Sequence, residues 1–271
     1  MTPQIVKVAP GDLVSEFTTP LLRRFSSVVE GALGEANEAI RLNPIDAPGF
    51  IYRAKIRAAS GDQLGALEDC GEAIRLQPED AMTLTLRAEI RRKNGEMEGA
   101  LDDYNEAVRL DRMNARALSD KGLARRATGD IEGALADFSQ AIQLQPTWAD
   151  AYVNRGAARG EKGDVEGALE DCNEAIRLDP SCPVAFMNRG HARRAKGDVE
   201  GALEDYDRAI LLKPDYAQAF IGRGTLRSAK RDFEGAKADL TEAARLDPEK
   251  VAVLRDWLPS AAKPREPGAP G

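Results

Sequence analysis

The chain has 271 residues, 42% of them hydrophobic and 31% charged, the balance of a folded protein and not of a disordered one. A formal net charge of −7 and a pI near 5.1 argue against a general nucleic-acid binder, whose phosphate contacts need a basic face. Three cysteines, an odd number, make no disulfide framework, and no apolar run approaches the roughly 20 residues needed to span a bilayer.

From the N-terminus, MTPQIVKVAPGDLVSEF has no uninterrupted apolar core after a basic start, so no signal peptide is expected there. With free thiols, which suit a reducing compartment, this gives an expected cytoplasmic location. Residues 1–27 read as an irregular segment followed by the start of a capping helix, with Thr19 as cap and Pro20 in its first turn.

From residue 28 onward the chain repeats. Proline stands at 44, 78, 146, 180, 214 and 248, and Arg112 occupies the one skipped place. Alanine recurs at 32, 66, 100, 134, 168, 202 and 236, and again at 39, 73, 107, 141, 175, 209 and 243. Leucine fills 42, 76, 110, 144, 178, 212 and 246, so three unbroken series share a period of 34. The expected organisation is a half unit at 28–46, then six full units at 47–80, 81–114, 115–148, 149–182, 183–216 and 217–250. A C-terminal capping helix at 251–258 and a disordered tail at 259–271 follow.

Each unit reads as two helices. In the second helix of one copy Ala168, Leu169, Cys172, Ala175 and Ile176 fall on one face at 3.6-residue spacing, and proline ends the pattern. Between the helices lie Gly61-Asp62, Gly129-Asp130, Gly163-Asp164 and Gly197-Asp198, a left-handed cap followed by an N-cap. Arg231-Asp232 breaks this rule, and a looser turn is expected there. The first helix opens on a bulky fourth residue (Phe50, Leu84, Leu118, Tyr152, Phe186, Phe220), with alanine or glycine four places on. Small residues at such crossings let helix axes approach to about 8 Å.

A helix pair of this length, with small residues at its crossings and a terminal proline, resembles the tetratricopeptide repeat over roughly residues 28–258. The pentatricopeptide repeat is similar but has a period of 35, which the spacing and the acidic pI disfavour. The resemblance implies an all-α, right-handed α-solenoid of antiparallel helix pairs, whose first helices line a concave groove for peptides or partner proteins. The chain departs from the family at the seventh position (Arg53, Arg87, Lys121, Arg155, Arg189, Arg223) and at the eleventh (Arg57, Arg91, Arg125, Arg159, Arg193, Arg227). An equally regular acid answers from the second helix: Asp69, Asp103, Asp137, Asp171, Asp205 and Asp239. Each aspartate is expected to pair with one of the two basic residues of its own or an adjacent unit, in preference to an arginine ladder for an anionic ligand.

No catalytic constellation is visible. His191 is the only histidine and reads as a surface residue; Gly222-Arg-Gly224 lies inside a predicted helix, and no phosphate loop occurs. Cys70 and Cys172 occupy a core slot, whereas Cys182 falls at a helix start. The reading is a non-enzyme without cofactor or metal.

The family's groove positions are the second, fifth, sixth, ninth, twelfth and thirteenth of each unit. At the sixth, Asn154 and Asn188 resemble the asparagine ladder by which some long members hold an extended peptide, with Asp120 one unit earlier. Arg92, Lys93, Arg116 and Arg126 form a basic zone, and Arg194 follows further on, which would favour an acidic peptide. The fifth-position lysine and ninth-position asparagine of chaperone-binding members are both missing. The expected function is therefore a scaffold or adaptor holding an extended peptide or partner protein. The alternatives are a regulatory or recognition subunit of an enzyme on another chain, and weak nucleic-acid or polyanion binding through the basic zone. Self-association would follow from inadequately capped ends, and no membrane partner is expected.

Overall fold

The computed structural model describes residues 27–249, and among the described residues there are helices and turns but no strand. The expected N-terminal cap around Pro20, the C-terminal helix at 251–258 and the tail lie outside them. Residues 27–42 form helix α1. Six pairs follow: α2 (Ala47–Ser60) with α3 (Gln63–Leu76), α4 (Ala81–Lys93) with α5 (Met97–Leu110), α6 (Ala115–Ala127) with α7 (Ile131–Leu144), α8 (Ala149–Lys162) with α9 (Val165–Leu178), α10 (Pro183–Lys196) with α11 (Val199–Leu212), and α12 (Ala217–Ala229) with α13 (Phe233–Leu246). Two compact units divide between Met113 and Asn114, the first containing α1–α5 and the second α6–α13. No helix among the described residues is long and apolar enough to cross a membrane.

The turn inside each pair is built from local chemistry. Gly61, Gly95, Gly129, Gly163 and Gly197 take positive φ between 83° and 91°, which reverses the chain at the end of the first helix. The next aspartate then caps the second helix: the side chains of Asp62, Asp130, Asp164, Asp198 and Asp232 accept from the backbone N–H groups of Gly65, Gly133, Gly167, Gly201 and Gly235. The α4–α5 turn is the exception, since Glu96 makes no side-chain cap. The turn before α13 is not looser than the rest. Arg231 enters the left-handed region itself at φ 65°, and Asp232 caps as its counterparts do.

Packing follows the small-residue series. Ala66, Ala100, Ala134, Ala168, Ala202 and Ala236 are all buried, as are Cys70, Tyr104, Phe138, Cys172, Tyr206 and Leu240 one turn later. The glycines of the first helices make room for those rings. A Cβ on Gly122 would stand 2.7 Å from the Phe138 ring, and one on Gly190 or Gly222 would stand 2.8 Å from Tyr206. Tyr206 is thus pressed between the first helix of its own pair and that of the next. In the second compact unit the first helices also touch across neighbouring pairs, α6 with α8, α8 with α10 and α10 with α12. They form the tighter layer of that array.

Candidate functional site

The regular charges resolve into a repeated buried clamp. Each second-helix aspartate holds both basic residues of its own pair, not one drawn from either neighbour. Asp69 meets Arg53 at 2.6 Å and Arg57 at 2.9 Å, Asp171 meets Arg155 at 2.7 Å and Arg159 at 3.0 Å, and Asp205 meets Arg189 at 2.6 Å and Arg193 at 3.0 Å. Asp103 with Arg87 and Arg91, and Asp239 with Arg223 and Arg227, repeat the pattern. All six aspartates are buried. The seventh-position guanidinium grips the carboxylate through Nε and Nη2 at once, a fork that lysine lacks. Where the fourth position is aromatic the guanidinium also lies over that ring, at 5.6 Å for Arg53 on Phe50 and 5.4 Å for Arg189 on Phe186. These arginines build the fold, and so they are not available as an anion ladder.

The α6–α7 pair differs because Lys121 replaces the arginine. Its Nζ reaches Asp137 at 3.0 Å, with Arg125 at 2.9 Å. Burial pushes the Asp137 carboxyl above its ordinary value, against the pull of Lys121 and Arg125.

Two further sets of contacts tie one pair to the next, and sequence reasoning missed both. Nη1 of Arg53, Arg155, Arg189 and Arg223 donates to Asn37, Ser139, Asn173 and Asp207 on the preceding second helix. Lys162, Lys196 and Lys230 reach back to Glu132, Glu166 and Glu200 at 2.6, 3.5 and 2.5 Å. The available signal was a polar residue two places after Asp137, Asp171 and Asp205, and a lysine beside the turn.

The sequence-predicted groove residues divide into engaged and open ones. Asn154 is half-buried and its amide donates to Ser119 Oγ at 3.3 Å. Asn188, also half-buried, lines a cleft between α8 and α10 and has no hydrogen-bond partner among the described residues. Of the basic residues, Arg92 and Lys93 stand in the first compact unit, where Lys93 pairs with Glu89 at 2.8 Å. Arg116 and Arg126 stand in the second, where Arg116 approaches Asp120 at 3.6 Å and Arg126 approaches Glu161 at 3.7 Å. Arg194 is exposed and makes no ion pair among the described residues, whereas the other three cations of α10 all meet carboxylates.

The cleft beside Asn188 has a volume of about 290 Å³. Its walls are mostly small and apolar: Ala157 and Gly160 from α8, Ala192 and Ala195 from α10, and Val165 at one end. His191 and Glu161 stand at its edge. His191 is open to solvent on one side, as its position suggested, but its ring also packs edge-on against Tyr206 at 5.6 Å between centroids. Packing around the imidazole, and then the charge of Arg194, hold its pKa down to about 4, so it is neutral at physiological pH. Cys70 and Cys172 are fully buried and burial pushes both thiols up to about 12, far from thiolate reactivity. Cys182 is half-buried at the N-cap of α10. Among the described residues no group of three or more His, Cys, Asp or Glu side chains is placed to hold a metal ion.

Comparison with known proteins places this geometry. Family models described as tetratricopeptide repeat match residues 51–115 and 149–182, and one described as TPR repeat matches 122–163 and 190–230. No curated protein matches the chain. Among solved structures, it is similar to a chain of the APC/C hetero-tetramer Cut9–Hcn1, with TM-score 0.75 and 16% identity over 86% of this chain. The match spans only 46% of that larger chain. A tetratricopeptide repeat protein from Parabacteroides merdae matches with TM-score 0.71 and 20% identity, over 84% of this chain and 91% of its own. YrrB, a TPR protein with an unusual peptide-binding site, matches with TM-score 0.54 and 24% identity, over 68% of this chain and 95% of its own. At these identities the likeness is one of fold.

Proposed function

Because this chain belongs to the tetratricopeptide repeat family, we propose that it works as a protein-interaction scaffold, holding an extended segment of a partner against the first helices of residues 115–250. The observation that carries this reading is Asn188. An amide can donate to and accept from a peptide backbone whatever the peptide's sequence, and this one is half-buried in a cleft with no hydrogen-bond partner among the described residues. Asn154, one unit earlier, spends one N–H on Ser119 and keeps its oxygen free to accept. The peptide-binding site named for YrrB, a fold relative, supports the same use of the fold. The partner's acidity is a finer part of the proposal. It rests on Arg194 alone, since the nearer basic residues of the same unit already face carboxylates.

Affinity capture with the wild-type chain beside an Asn154→Ala/Asn188→Ala variant tests the reading. Recovery of specifically retained partners should fall by about fivefold or more, as expected when two backbone-directed hydrogen bonds of roughly 0.5–1.5 kcal/mol each are lost. Equal recovery by both proteins would exclude the amides as the gripping groups.

A further inference from the structure

Within the second compact unit the α8–α10 junction differs from the other junctions between first helices, and the difference can be located in two residues. Space between successive first helices depends on the ninth and twelfth positions of the earlier helix. In the second compact unit the other pairs are Leu123 and Arg126, and His191 and Arg194, each with at least one long side chain. Only α8, with Ala157 and Gly160, leaves both places empty, and there the 290 Å³ cleft opens. Gly160 faces open space, since a Cβ built on it meets nothing within 4 Å. Most of the lining is small and apolar, and its one carboxylate, Glu161, approaches Arg126 at 3.7 Å. Arg194 lies on the same face of α10 as Asn188 and His191, at spacings of three residues, and among the described residues it is the α10 cation without a carboxylate partner.

We propose that this cleft is the anchor subsite of the groove, taking one large apolar side chain, aromatic or long aliphatic, from an extended peptide that carries an acidic residue beside it for Arg194. The inference rests on the groove reading above and adds the chemistry of the occupant. The volume is enough to take one large side chain. Most of the wall is alanine, glycine and valine, which rewards apolar burial. Asn188 at the rim is placed to take the backbone of the residue whose side chain is buried. An acidic neighbour then completes the charge of Arg194, setting register and direction more than affinity.

The test is selection of a random peptide display library on the full-length wild-type chain, followed by binding measurements of the enriched peptides to three variants. Gly160→Leu fills the cleft from a position with room for a side chain, and replacing a helix glycine should not weaken the fold. Enriched peptides should share a large apolar residue with an acidic residue close by. Their affinity should fall at least about tenfold for Gly160→Leu and about threefold for Arg194→Ala, the second loss shrinking at high salt. Circular dichroism and thermal unfolding of Gly160→Leu should match wild type, so that lost binding reports the cleft and not the fold. Peptides that lose affinity with Asn154→Ala/Asn188→Ala but keep it with Gly160→Leu would overturn the subsite and leave the groove standing. Peptides indifferent to all three variants, or a library that yields no binder, would overturn both.

Discussion

Arg231 sits at φ 65° in a turn where five other pairs place glycine. A side chain with a Cβ costs about 1–2 kcal/mol in that region, and here the turn is imposed by what flanks it, Asp232 capping α13 and Arg227 locked onto Asp239. Arg231→Gly should therefore raise stability by about 1 kcal/mol, read as a higher denaturation midpoint with an unchanged m-value. A neutral or lower midpoint would mean that the arginine makes compensating contacts. Burial also acts on Asp137, whose carboxyl it raises against the pull of Lys121 and Arg125, so the folded chain binds this proton more tightly than the unfolded chain does. Its contribution to stability is present below the unfolded value and fades as pH rises through the folded one.

At the scale of the helix pair, the clamp binds the first helix to the second at a fixed register. Asp171 is buried and takes two arginines, and Arg159 also donates to the Gly167 carbonyl at 3.0 Å. Removing the carboxylate leaves two guanidinium groups in a half-buried site built for an anion. Asp171→Ala should cost about 3 kcal/mol, discounted from the range for fully buried pairs because both arginines keep some solvent contact. In a stack with nearest-neighbour stability the loss should stay local. Hydrogen exchange is expected to accelerate in α8 and α9, less in α7 and α10, and little in α13. Uniform acceleration from α6 to α13 would contradict the nearest-neighbour description.

Over the whole molecule, charge is sorted by layer. The first helices α2, α4, α6, α10 and α12 carry more basic than acidic residues, and the second helices α3, α5, α7, α9 and α11 the reverse. Most of this is consumed internally by the clamps and the links between pairs, so little cationic field remains for phosphate. With a net charge of −7, the chain should pass through a heparin matrix at about 0.15 M salt, because binding by counterion release needs several free cations on one surface. Retention into higher salt would revive polyanion binding as the function.

Period, helix pairing, caps and the core series could be read from the residues because each is local: a 3.6-residue stripe, a glycine at a turn and an aspartate three places before a backbone N–H lie within one stretch of chain. The clamp was half legible. Matched Arg and Asp series announced a pairing, but that both cations converge on one carboxylate depends on the distance between two helix axes, which no local pattern records. The candidate groove residues could be placed on the first helices from the repeat, yet which were already engaged depended on partners in other helices, such as Ser119 for Asn154. The cleft was invisible because it is a property of what two neighbouring helices both lack, and an absence of side chain acquires shape only when the opposing wall is in place.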